Sequence, residues 1–298
     1  DLKITYPLLI KDKEYFINIK AVINQDWGIL AKGTELAWEQ FKISGDFFKE
    51  QKAVDGNLNV EDNGKEIRFS SGDIKGIFNK EKAEFTSYSN PFVNLNQLPK
   101  PHFWRAPSDN DFGNKMPQKL GFWRNAHQEL KLKKIDFDKT DRGGLKIVCE
   151  YNLAQSMDYV MTYVIRNDGS ILFKFSIKKQ NITNEIPRFG SRMILPYILQ
   201  NLNYYGRGPY ENYQDRNSAC FVGFYQDKVI NQYYKGYIRP QESGNKTGIR
   251  WFELLDENGH GLSVNGLQEL NFTAIDHTLE DLDPGETKKQ QHPNDLPP

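Results

Sequence analysis

The stretch FWRAPSDNDFG, residues 103–113, gathers Arg105, Asp109 and Asp111 around a proline, a glycine and Trp104. Two carboxylates at this separation can hold a hard cation or divide the roles of general acid and general base. The spacing does not complete a calcium loop, because the glycine comes one position early and Leu120 stands where the closing glutamate belongs. Arg105, Asp109 and Asp111 are therefore read as a structural motif, with aspartates capping turn amides and Arg105 neutralising them. A second unusual stretch, YYGRGPYENYQDR, occupies residues 204–216. Its Gly206 and Gly208 fail the dinucleotide-binding pattern, since Glu211 occupies the last glycine position and no βαβ pattern surrounds it. Gly208 and Pro209 followed by Tyr210, Glu211, Asn212, Tyr213 and Asp215 suit a long loop that stacks on a sugar face and hydrogen-bonds hydroxyls. The same residues suit a packed inter-sheet loop. In RPQESGNKTGIRW, residues 239–251, Glu242 stands with two arginines, the composition of a structural ion-pair network.

Other chemistries find little support. His102, His127, His260, His277 and His292 form neither HExxH nor a Cys-His spacing, so no metal ligand is assigned. GLSVNGLQ, residues 261–268, lacks the lysine of a phosphate-binding loop, and spacing alone assembles no Ser, His and Asp triad. Three Asn-x-Thr sequons occur, at Asn181, Asn245 and Asn271.

The composition bounds the partners. Among 298 residues, 39 Lys plus Arg balance 39 Asp plus Glu, with a pI near 7.1. This balance argues against a nucleic-acid or polybasic membrane surface, both of which need a positive field. An apolar content of 38% with 13% aromatics is enough for a substantial core, which excludes whole-chain disorder. No run of about 18 apolar residues appears, and charges interrupt DLKITYPLLIKDKEYFINIK where a leader would need its apolar core. A soluble chain is expected, cytoplasmic or periplasmic and secreted, since Cys149 and Cys220 alone do not distinguish the compartments.

The elements that must position these residues read as strands. Tyr15, Ile17, Ile19 and Ala21 alternate with Phe16, Asn18 and Lys20. Leu58 and Val60, the turn Asp62, Asn63, Gly64, then Ile67 and Phe69 predict a hairpin, with Asn-Gly suited to a type I′ turn. Tyr159 to Ile165, the turn RNDG, then Ile171 to Ile177 predict a longer one. A single helix is expected over PQKLGFWRNAHQEL, residues 117–130, with Leu120, Trp123, His127 and Leu130 on one face behind Pro117. A domain boundary is expected within FKISGDFFKE, residues 41–50, and the polar tail from Asp281 is expected to end without a final strand. No internal repeat is found.

In order, FWRAPSDNDFG, YYGRGPYENYQDR and the block from Arg239 through Val264 resemble signature blocks in the C-terminal domain of glycoside hydrolase family 2 β-galactosidases. GTELAWEQFKI, residues 33–43, resembles the close of the immunoglobulin-like domain that precedes it, so the resemblance spans essentially the whole chain. It implies an all-β fold: residues 1–45 as the last strands of an immunoglobulin-like β-sandwich, and residues 46–298 as a large antiparallel β-supersandwich, similar to galactose mutarotase and lacking its last strands. It also implies that the catalytic glutamates, and any divalent or monovalent cations, belong to a (β/α)₈ barrel upstream. No catalytic residue and no cofactor are then expected in this chain. Its partners would be the remainder of its own polypeptide, which in the family is homo-oligomeric, and a β-galactoside. By the same resemblance Gly208, Tyr210, Glu211, Asn212, Asp215 and Arg216 become candidates for an active-site wall or sugar-adjacent loop. The Gly-Gly-Asp-x-Ser-Trp segment whose tryptophan helps form the family's sugar pocket is not found before Pro298. Two alternatives are a stand-alone carbohydrate-binding module and an aldose epimerase, the latter needing His260 or His277 with Glu211 as base.

Overall fold

The computed structural model describes residues 5, 8–10, 13–48, 54–153, 157–178, 185–283 and 285. These form an all-β chain of antiparallel sheets with a few short helical turns. Two compact units interleave along the sequence: one takes Asp1–Lys52, Ile198–Tyr234 and Ser243–Asp276, the other Ala53–Tyr197, Lys235–Glu242 and His277–Pro298.

The first unit begins with the hairpin of β1 (Tyr15–Val22) and β2 (Glu35–Ser44), which sets Ile17 opposite Phe41 and Lys20 opposite Trp38. The predicted strand is present, yet its alternation buries little: Ile19 and Phe41 are 46% and 51% exposed. The face carrying Trp38 and Gln40 is the engaged one. Trp38 Nε1 donates to the Ala219 carbonyl, and the Gln40 amide brackets the backbone of Val222.

In the second unit β3 (Asn59–Asp62), β4 (Glu66–Ser71), β5 (Ile74–Asn79), β6 (Glu84–Ser89) and β7 (Asn94–Leu95) form a meander in sequential order. Its first turn departs from type I′. Gly64 alone has positive φ, 88°, while Asn63 stays at negative φ and accepts the Lys65 and Glu66 amides on its side-chain oxygen. Asn63 therefore acts as a turn cap, which removes the need for a second left-handed residue. The chain continues through β8 (Lys100–His102) and α1 (Asp109–Gly113).

The single helix expected over 117–130 is instead three short pieces: α2 (Met116–Lys119) and 3₁₀ turns at Gly121–Arg124 and Ala126–Glu129. Leu120 and Asn125 interrupt it with φ near −118° and −115°. Gly121 and Asn125 are poor helix formers, and breaking the helix still buries Trp123, 1% exposed. A second meander follows, β9 (Lys131–Lys139), β10 (Leu145–Leu153), β11 (Met157–Ile165) and β12 (Ile171–Lys178), which contains the longer hairpin as expected. Inward residues of β10 alternate as Leu145, Ile147, Cys149, Tyr151 and Leu153. The two meanders face each other through aromatic rings: Phe78 meets Phe137 and Tyr163, and Phe85 meets Tyr163 and Phe173. The three edge-to-face pairs among them, Phe78–Phe137, Phe78–Tyr163 and Phe85–Tyr163, add about 0.5–1.5 kcal/mol each beyond area burial, which makes this β-sandwich the core of the unit. β13 (Gly190–Arg192) then pairs with β8.

The chain returns to the first unit with β14 (Asn201–Gly208), β15 (Phe221–Lys228), β16 (Lys246–Leu255) and β17 (Gly261–Phe272), in spatial order β15-β14-β16-β17. A buried ionic cluster joins the β1 region to this sheet. The Glu14 carboxylate, 1% exposed, accepts from Arg250 Nε and Nη2 at 2.8 Å each, Lys42 Nζ at 2.7 Å and the Tyr205 hydroxyl at 2.9 Å. α3 (Leu279–Leu282), in the second unit, is the last described element; of the expected tail, residue 284 and residues 286–298 lie outside the described residues.

Candidate functional site

Two features of the sequence put a loop at the end of β14. A Cβ on Gly206 would collide with Ile249, and one on Gly208 with the Tyr204 hydroxyl, so both glycines let β14 lie close against its neighbours. After the cis Gly208–Pro209 peptide the chain leaves the sheet and rejoins it at Phe221.

Asn212 organises this loop from inside and is 0% exposed. Its amide nitrogen donates to the carbonyls of Tyr210 at 2.9 Å and Arg207 at 3.2 Å. Its oxygen accepts from the Thr247 amide at 2.9 Å and the Thr247 hydroxyl at 2.6 Å. All four of its side-chain hydrogen-bonding positions are thereby used. The backbones interlock too, with the Asn212 amide donating to the Asn245 carbonyl and Asn245 Nδ2 donating to the Asn212 carbonyl.

Glu211 is drawn inward. One carboxylate oxygen accepts from Arg216 Nη2 at 2.9 Å, and the other from the Gly244 amide at 2.8 Å and the Ser243 hydroxyl at 3.3 Å. Arg216 also lies over the Tyr213 ring. Beneath them Lys246, 2% exposed, donates to Gln232 Oε1 at 2.8 Å and the Gly244 carbonyl at 3.4 Å. Burial lowers the Lys246 pKa, against the opposing charges of Glu211 and Asp227. In the same loop Tyr210 is 74% exposed, and Asp215 is exposed as well. Tyr204 and Tyr205 are packed in β14, and Tyr210 faces solvent.

The other candidates lie in the second unit, where the expected Asp109–Asp111 loop is the helical turn α1. Ser108 caps it, and Asp111 closes a reciprocal capping box through the Ser108 amide. Arg105 grips Asp111 with both terminal nitrogens, at 2.5 and 2.7 Å, whereas Asp109 pairs with Arg239 at 2.7 Å. The two carboxylates are therefore divided between two arginines. Burial would raise the pKa of Asp111, but the bonds from Arg105 and Ser108 outweigh it and lower it. Glu242 pairs with Arg188 at 2.5 Å, not with either arginine of its own segment, since Arg239 takes Asp109 and Arg250 takes Glu14. Trp104 is fully buried and donates its indole N–H to Asp283 at 2.7 Å, beside Arg124.

Sequence reading passed over Ser243, Lys246 and Thr247, which complete the loop's support. Their signal was the run SGNKT, in which five small or polar residues precede the apolar alternation of β16. Of the sequons, Asn245 is buried with its amide engaged, Asn271 is exposed and Asn181 lies outside the described residues. His260 sits in the β16–β17 turn with its Nδ1 3.6 Å from Asp256. Among the described residues no three His, Cys, Asp or Glu side chains gather as a metal site, and no helix is long and apolar enough to cross a membrane.

A family model described as beta galactosidase small chain matches residues 70–298. The chain is 29% identical over 289 residues to a beta-galactosidase of Priestia megaterium, covering 95% of this chain and 28% of the relative. It is 28% identical over 291 residues to a beta-galactosidase of Halalkalibacterium halodurans, with 95% and 28% covered. To a beta-galactosidase of Lactobacillus delbrueckii subsp. bulgaricus it is 33% identical over 232 residues, with 77% and 22% covered. The chain thus spans about 28% of the length of the first two of these relatives.

Proposed function

Because this chain belongs to the β-galactosidase small-chain family, we propose that it serves a retaining β-galactosidase as a non-catalytic portion that walls the active site and supports assembly. In such an enzyme two carboxyl groups about 5–5.5 Å apart act as nucleophile and acid/base. We assign both, with any cation they require, to a barrel elsewhere in the polypeptide, and a terminal β-galactoside as the substrate. Residues 1–45 are read as the end of an immunoglobulin-like sandwich and residues 46–298 as the supersandwich.

The observation that carries the proposal is the contrast between Tyr210 and its support. A large aromatic ring is 74% exposed, while its own carbonyl is held by the fully buried Asn212. An exposed ring on a fixed backbone presents a surface at little further entropic cost, which suits a rigid wall. Glu211 supports the same reading: its two oxygens accept from Arg216, Ser243 and Gly244, so it braces the loop. Positioning of this kind matters because a misplacement of about 1 Å can cost about a hundredfold in rate.

The test is hydrolysis of a nitrophenyl β-galactoside by the isolated chain, expected to be undetectable. Turnover that disappears in Glu211→Ala or Asp109→Ala would overturn the assignment. Titration with galactose and lactose separates the alternative of a stand-alone carbohydrate-binding module, which requires measurable affinity. Polarimetry on fresh α-galactose separates the epimerase.

A further inference from the structure

One face of the sheet β15-β14-β16-β17, in the first unit, carries two parallel rows of side chains. The opposite face is the packed one, where Leu202, Tyr204 and Leu254 are buried. The first row is aromatic, with Phe224 and Trp251 paired to Tyr205 from either side. Tyr205 is 9% exposed and Phe224 74%, and their rings stack with centroids 4.5 Å apart. Two strand spacings, about 9.6 Å, separate β15 from β16. The Phe224 and Trp251 rings are nevertheless only 6.1 Å apart, so both lean over Tyr205 and close into one apolar surface.

The second row lies two residues away on each strand, at a distance of about 7 Å. Gln226, Asn203, Glu253 and Ser263 stand in register across all four strands. Gln226 and Ser263 are exposed, Asn203 and Glu253 half-buried, and among the described residues none of these four side chains is engaged in a hydrogen bond or ion pair. Three strand spacings make the row about 14 Å long.

We propose that this face binds a neutral oligosaccharide, with pyranose rings stacked on Phe224 and Trp251 and their hydroxyls bonded to the polar row. A pyranose has C–H bonds on its faces and hydroxyls around its rim, which matches an aromatic surface edged by amides, a carboxylate and a hydroxyl. An apolar partner would bury Glu253 and two amides without hydrogen bonds, a cost that a hydroxyl-rich ligand avoids. An anionic ligand would meet Glu253, while Arg207 and Lys228 on the same face are taken up by the Asn217 and Cys220 carbonyls and by Glu257. The site lies along β14 itself, ahead of the wall loop that begins after Gly208.

The experiment uses the whole polypeptide that carries this chain, with excess galactose to occupy a galactoside-hydrolysing site. It reads saturation-transfer NMR signals of cellotetraose, maltotetraose and galactotetraose. The expected result is transfer to ring C–H protons of at least one tetrasaccharide, reduced several-fold in Phe224→Ala and Glu253→Gln and retained in Tyr210→Ala. Phe224 is exposed on an edge strand, so its replacement leaves the packed face of the sheet intact. Transfer to none of the three sugars in the wild type, a result that depends on no variant, would overturn the proposal and leave this face to another part of the polypeptide. So would a signal that survives both Phe224→Ala and Glu253→Gln, and its loss in Tyr210→Ala would then put the sugar on the wall loop.

Discussion

Replacing Asn212 with alanine removes the central support of the wall loop. The side chain makes four hydrogen bonds; its loss strands the Arg207 carbonyl and the Thr247 amide, and leaves the Tyr210 carbonyl only the weak Cys220 thiol donor at 3.8 Å. The fourth partner, the Thr247 hydroxyl, can rotate toward another acceptor. A buried polar group left without a partner costs about 1–3 kcal/mol, so two at the lower figure give about 2 kcal/mol. Urea unfolding of the chain, followed by tryptophan fluorescence, reads this as a lower midpoint at unchanged slope. Thr247→Val should couple to it: the double variant should fall short of the sum of the single losses by about 1 kcal/mol. A loss below about 0.5 kcal/mol for Asn212→Ala, or strict additivity with Thr247→Val, would refute the claim that this asparagine fixes the loop.

Three further outcomes follow from named contacts. Glu14→Gln breaks a buried ion pair and should destabilise the first unit by about 3–5 kcal/mol in the same unfolding assay. Burial would raise the Glu14 pKa, but bonds from Arg250, Lys42 and Tyr205 bring it down to about 2. With an unfolded value near about 4.3, the wild-type contribution is fully present above that pH and is lost as the pH falls toward 2, whereas the glutamine variant should show a flatter acid limb. Asp111→Asn leaves Arg105 without its anion and weakens the capping box, so a loss of about 2–4 kcal/mol is expected in thermal unfolding, with the native advantage again confined to pH above the ordinary aspartate range. Gly76→Ala should cost about 1–3 kcal/mol, since its Cβ would run into the Phe69 ring.

Strand periodicity made the fold legible where one face of a strand packs and the other is wet. β10 follows that rule, and β11 pairs with β12 as the expected 159–177 hairpin. It misled at β1, whose alternating residues are mostly exposed, because the hairpin engages its neighbour through Trp38 and Gln40 side chains rather than an apolar face. Helical spacing misled over 117–130 because separate turns bury Trp123 and half-bury Leu120 and Leu130 without one continuous helix, and Gly121 with Asn125 favours the turns. At the site, residue types identified the loop, but partners were not readable. Nothing local says that Glu211 reaches Gly244, that Asp109 reaches Arg239, or that Glu14 meets Arg250 across 236 residues. Such pairings are set by which strands become neighbours, and β14 lies between β15 and β16 only after the chain has folded.

The most direct measurement of the central claim is steady-state kinetics of the whole polypeptide that carries this chain, comparing wild type with Tyr210→Ala and Glu211→Gln. A wall predicts turnover reduced by about ten- to a hundredfold, with both limbs of the pH–rate profile unmoved, because neither residue exchanges a proton with the substrate. Abolished turnover in a stably folded Glu211→Gln enzyme, with one limb of the profile lost, would contradict the account and place a catalytic carboxylate in this chain.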